Sequence, residues 1–134
     1  MKDIIAVEKT VRAFCNTWFE RRDLDGTINF LTEDVNFIGT GEDEFAQGKE
    51  EMSAYLRQDI GEIHEPFSCG FSLINWQLLA KNVYRLSAEL TLKNTLYTWR
   101  LRGFFTVCLE DSGAWKIKSF HIAEPGSSQY GSEH

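Results

Sequence analysis

The chain has 134 residues, 43% of them hydrophobic and 13% aromatic, with a formal net charge of −6. A chain of this length buries roughly two-thirds of its unfolded surface, so neither a disulfide nor a metal is needed to hold a core. The acidic balance, with no run of Lys or Arg, argues against nucleic acid as a partner. Cys15, Cys69 and Cys108 are odd in number and widely spaced, and no apolar run suggests export or a membrane span, so a reducing, cytoplasmic setting is expected.

Ile4, Val7, Val11, Phe14 and Trp18 recur at three- and four-residue steps with Glu8, Lys9, Arg12 and Asn16 between them, which predicts an amphipathic first helix. Asp23 offers an N-cap for a short second helix through Leu31. Thr32-Glu33-Asp34 breaks that pattern before the strand-like Val35–Ile38, and Gly39-Thr40-Gly41 turns the chain. Residues 49–60 read as a helix with Met52, Tyr55, Leu56 and Ile60 inward and Glu50, Glu51, Arg57 and Asp59 outward. From Phe67 to Glu124, turn signals at Lys81-Asn82, Asn94 and Ser112-Gly113 mark a meander of four strands. Helices first and strands second predict an α+β fold, one domain over residues 1–134, with the helices on one face of a curved antiparallel sheet. The small polar residues 126–134 are expected to form a flexible tail.

Hairpin arithmetic assigns the faces of that sheet. A two-residue loop at Ser112-Gly113 pairs Thr106 with Ser119, Phe104 with His121 and Arg102 with Ala123, and puts Trp115 on the face of His121. Carrying the parity through the earlier loops gives a mixed face with Trp76, Phe104 and Trp115 as aromatic walls and Arg85, Glu89, Arg100, Arg102 and His121 as polar groups. The opposite face collects Tyr84, Leu86, Leu90, Leu92, Trp99, Leu101, Phe105, Val107, Leu109, Phe120 and Ile122. Periodicity admits two orientations. Either the mixed face looks toward the helices and a second subunit covers the apolar face, or the apolar face packs on the helices and the arginines are solvated.

Leu31-Thr32-Glu33-Asp34-Val35 with Gly39, the helix-opening Gly48, and Trp115-Lys116-Ile117 ending in His121 and followed by Pro125 resemble the SnoaL-like branch of the nuclear transport factor 2-like superfamily. The resemblance implies a cystatin-like cone: a curved sheet around a long helix, an internal cavity, and often a dimer on the outer face of the sheet. It favours the mixed face inward, with a homodimer built on Trp99, Leu101, Phe105, Val107 and Phe120. It also implies that the steroid isomerases' proton-shuttling aspartate falls near Gly39, their helix-borne tyrosine near Cys15 and their neutral carboxylic acid near Thr106, so all three catalytic places are vacant.

The expected ligand pocket comprises Trp18, Tyr55, Trp76, Arg85, Glu89, Arg100, Arg102, Phe104, Thr106 and His121. Its function is expected to be sensory or accessory binding of a small, partly apolar and possibly anionic molecule, because Arg100 and Arg102 suit a bidentate carboxylate clamp. Internal pairing of the arginines with Glu89 is the plainer alternative. A second reading is an isomerase- or cyclase-type enzyme with His121 as general base, against a plain interior histidine bonded to Thr106 or Ser119. A third is an oligomerisation module. Glu42-Asp43-Glu44 reads as a solvated charge run rather than a metal site, so no cofactor and no metal are expected. Relatives in signalling proteins continue into an output domain, which leaves open whether the chain is a whole protein.

Overall fold

The computed structural model describes residues 2–125; the tail expected over 126–134 lies outside the described residues. α1 (Lys2–Cys15) continues into a π-helical turn, Asn16–Glu20, followed by α2 (Leu24–Ile28), β1 (Leu31–Ile38), β2 (Phe45–Gln47) and α3 (Lys49–Glu62). β3 (Ser68–Ala80), β4 (Val83–Lys93), β5 (Thr98–Leu109) and β6 (Trp115–Ala123) complete the chain order. The expected cap holds: Asp23 accepts a hydrogen bond from the backbone N–H of Gly26 and opens α2. Three features depart from the periodic reading: α2 ends at Ile28 and β1 begins already at Leu31, taking in Thr32, Glu33 and Asp34; β2 is an added short strand; and β1 pairs with β6 in parallel, which extends the meander into one sheet of order β2-β1-β6-β5-β4-β3.

The helix-covered face of the sheet is the apolar one. Val7, Val11, Phe14 and Trp18 of the first helix are buried, and the ring of Phe14 meets Phe120 at 5.2 Å and Phe105 at 6.3 Å, both edge-on. Leu86, Ala88, Leu90 and Leu92 of β4, Phe105 and Val107 of β5, and Ile117 and Phe120 of β6 fill the same core. This reverses the expected orientation. Each fully buried side chain of this size contributes about 1.5–3 kcal/mol, whereas turning Arg85, Arg100 and Arg102 inward would strip three cations of water against the single carboxylate of Glu89. Leu101, Phe105, Val107 and Phe120 are therefore core residues rather than a dimer surface, and Trp99 is half-buried against Phe67 and Tyr97.

Thr106 pairs Ser119, Phe104 pairs His121 and Arg102 pairs Ala123 as expected, but the register shifts between Thr106 and Val107, so that Val107 pairs Ile117 and Leu109 pairs Trp115. The loop is one residue longer than the two expected, with the Glu110 N–H bonded to the Ala114 carbonyl at 2.9 Å, and this turns Trp115 to the helix-covered face; the extra residue Lys118 then restores the expected register at His121. Exposed Lys118 at this irregularity bonds the Asp34 carboxylate of β1 at 2.6 Å, so an ion pair fastens the parallel edge. On β3, a shift between Leu78 and Ala80 sets Trp76 opposite buried Leu86 instead of on the face of Arg85.

Candidate functional site

One end of the cone is hollow. A cavity of about 200 Å³ lies between the π turn, β1, α3 and the ends of β4, β5 and β6. The π turn is wider than an α turn, and it buries three consecutive residues, Thr17, Trp18 and Phe19. The last two stack at 4.3 Å and both line the cavity. Phe37 of β1 forms a further wall, 4.8 Å from the ring of Tyr55. Leu92, Trp99, Leu101 and Ile122 complete the apolar lining from the sheet.

Polar groups converge on these walls from two elements. Tyr55 and Asp59 are one helical turn apart on α3 and both reach the cavity. The Asp59 carboxylate accepts a hydrogen bond from the Trp18 indole at 3.0 Å and one from the Arg22 guanidinium at 3.1 Å. Arg22, with a side chain only 5% exposed, also donates to the carbonyls of Trp18, Asp59 and Ile63, so the buried guanidinium is bonded to the half-buried carboxylate and to three backbone carbonyls. Its backbone φ of 49° holds it in the left-handed region, where the chain leaves the π turn. Tyr55 carries a phenol pushed well above its ordinary range, first by burial and then by the negative charges of Asp59 and Glu44.

The loop between β1 and β2 forms the rim. Glu44 folds back so that its carboxylate accepts from the backbone N–H groups of Thr40 and Gly41 at 3.1 and 3.0 Å. Gly39, Thr40 and Glu44 line the cavity here, and Glu124 lines it after β6. A side chain at Gly39 would meet the Glu44 carboxylate at 2.7 Å and the Phe37 ring at 2.8 Å, which explains the glycine by close packing. Of the acidic run, Glu44 is thus held at the rim, while Glu42 and Asp43 are exposed.

Of the expected pocket residues, only Trp18 and Tyr55 line this cavity. Arg85, Glu89, Arg100, Arg102, Phe104, Thr106 and His121 sit on the outer face, around shallow depressions open to solvent. Arg100 donates to Glu89 at 3.0 Å and Arg102 approaches the same carboxylate at 4.0 Å, so the plain pairing is what forms. His121 is exposed beside Phe104, with ring centroids 5.9 Å apart, and is neither an interior histidine nor a cavity base. Trp76 packs on Tyr84, which in turn meets Trp115 at 5.8 Å, on the helix-covered face and outside the cavity lining. Cys15, one of the three vacant catalytic places, is buried in the core, and Thr106, another, is on the outer face. Face assignment missed Phe37, Asp59 and Trp99; the signals were the Tyr55/Asp59 spacing on α3 and the membership of Trp99, Leu101 and Ile122 in the apolar set.

Among the described residues no helix is long and apolar enough to cross a membrane. The family model described as a SnoaL-like domain matches residues 7–125. Among solved structures, a ketosteroid isomerase-like protein from Erwinia carotovora atroseptica is similar at a TM-score of 0.76 and 15% identity, over 92% of this chain and 96% of its own. An NTF-2 like protein of unknown function from Shewanella oneidensis gives 0.77 and 18%, over 91% and 99%. A domain of unknown function with a cystatin-like fold from Nostoc punctiforme gives 0.79 and 16%, over 97% and 82%. At these identities the likeness speaks for the fold. No curated protein matches this sequence.

Proposed function

The chain belongs to the SnoaL-like domain family, and from that premise we propose that the cavity beneath the apolar face binds a small, largely apolar molecule in a sensory or accessory role. The observation that carries this reading is the cavity itself, about 200 Å³ walled by Trp18, Phe19, Phe37, Tyr55 and Trp99, with a few fixed polar groups at one side. Apolar walls with sparse polar groups suit capture and orientation of a compact ligand. The anionic ligand expected from the arginines loses its support, since an anion entering here meets Glu44, Asp59 and Glu124. Catalysis by His121 likewise lacks supporting geometry, because its ring lies outside the cavity.

Calorimetric titration with tert-butylbenzene, a neutral compact apolar probe, tests the reading. Binding is expected in the parent chain and absent in Leu101→Trp, which fills the cavity from a lining position. Undiminished binding in that variant refutes it, as does a parent chain that binds no compact probe of this size, neutral or charged. A homodimer is also part of the reading, now on the arginine-bearing face: Ile38, Ile74 and Phe104 are 56%, 50% and 38% exposed there, amid polar neighbours that suit an interface rim. Sedimentation of Phe104→Lys should give a monomer where the parent gives a dimer; a parent that is monomeric at micromolar concentration contradicts this part.

A further inference from the structure

Charge, as well as shape, is fixed in the cavity. Every ionisable side chain lining it is a carboxylate or a phenol: Glu44, Tyr55, Asp59 and Glu124. Asp59 is balanced by Arg22 at 3.1 Å. Glu44 is held only by neutral donors, the backbone of Thr40 and Gly41 and the Thr40 hydroxyl at 3.3 Å, and neither it nor Glu124 has an ion-pair partner among the described residues. Two negative charges at the rim are therefore uncompensated. Five aromatic side chains share the same lining, and aromatic faces attract cations electrostatically, most strongly where water is excluded.

Resting on the small-molecule reading above, we propose that the ligand of this cavity is an organic cation, an alkylated ammonium seated among the aromatic walls and drawn in by Glu44 and Glu124. Full alkylation suits the site, because a quaternary ammonium has no N–H to leave unsatisfied against walls of Trp18, Phe37 and Trp99. The negative field is felt inside, since Asp59 and Glu44 both push the Tyr55 phenol upward after burial has done so. Among the described residues no Lys or Arg lines the cavity, so no cation in its walls repels the guest. The cavity volume, below the roughly 300–1,000 Å³ of pockets for drug-sized ligands, restricts the guest to a compact molecule.

Three probes of nearly one size separate charge from shape: phenyltrimethylammonium, its neutral carbon isostere tert-butylbenzene, and benzoate. Calorimetry at low salt is expected to give the cation an affinity about tenfold or more above the neutral isostere, with benzoate the weakest. In a Glu44→Gln, Glu124→Gln variant that gap should close to less than about threefold while tert-butylbenzene binds as before. Equal affinity for cation and isostere in the parent chain overturns the charge assignment and leaves the cavity reading standing. Binding of none of the three overturns both. A tenfold gap that survives in the double variant removes the two carboxylates from the account.

Discussion

Phe104 and Phe105 are neighbours in one strand and face opposite sides of the sheet, so truncating each in turn measures which side the helices cover. Phe105 is 1% exposed, stacked on Phe120 at 6.0 Å and edge-on to Phe14 at 6.3 Å, with Gly103 so close beneath that an added Cβ would meet its ring at 2.5 Å. Nothing around it is free to collapse. Phe105→Ala should cost about 3–5 kcal/mol for lost transfer energy and the cavity left behind. Phe104 keeps much of its ring in water, and Phe104→Ala measured on the monomer should cost at most about 1 kcal/mol. In a chain of this size, each kcal/mol moves the melting temperature by about 3–5 °C, so the two variants should differ by at least about 6 °C. Urea unfolding followed by tryptophan fluorescence gives the free energies directly. Equal losses, or a larger loss at Phe104, would refute the orientation.

Arg22→Met removes every bond that the guanidinium donates and strands the Asp59 carboxylate in a half-buried site, at about 3–5 kcal/mol by the same unfolding assay. The Arg22→Met, Asp59→Asn double variant should lose less than the sum of the singles, and strict additivity would deny their coupling. Burial raises the Cys15 thiol and pushes Cys69 up to about 12, so in the folded state both hold protons that unfolded thiols release. Because the folded values are the higher ones, stability is intact below about pH 9 and should fall as pH rises toward about 12. Cys69→Ala should flatten that fall, and an unchanged slope would contradict the assignment.

The helices were legible because their apolar residues keep a strict period and Asp23 marks a start with a side-chain bond of its own. The β5–β6 register agrees with the expectation at His121 only because the extra residue Lys118 offsets a loop one residue longer than the two-residue turn at Ser112-Gly113; between the two, at Trp115, the parity is reversed. Bulges leave no reliable mark in a single sequence, and Trp76 was misassigned for the same reason. β1 and β6 pair across most of the chain in sequence, and no local pattern encodes that contact. The orientation of the sheet was available from energetics, since a face bearing Leu86, Leu90, Phe105 and Phe120 is the one a single chain must bury. The cavity then falls among residues that read as core, because its walls are the apolar face itself and its polar groups, Asp59 and Glu44, come from a helix and a loop that sheet parity does not describe.

The four indole N–H signals in a proton–nitrogen correlation spectrum report on the cavity most directly, since Trp18 and Trp99 line it and Trp76 and Trp115 do not. Assigned through Trp→Phe variants and titrated with phenyltrimethylammonium, the Trp18 and Trp99 signals should shift together along a saturating curve while the other two stay in place. Saturable movement of Trp76 or Trp115 with Trp18 and Trp99 unmoved would contradict a binding cavity beneath the apolar face.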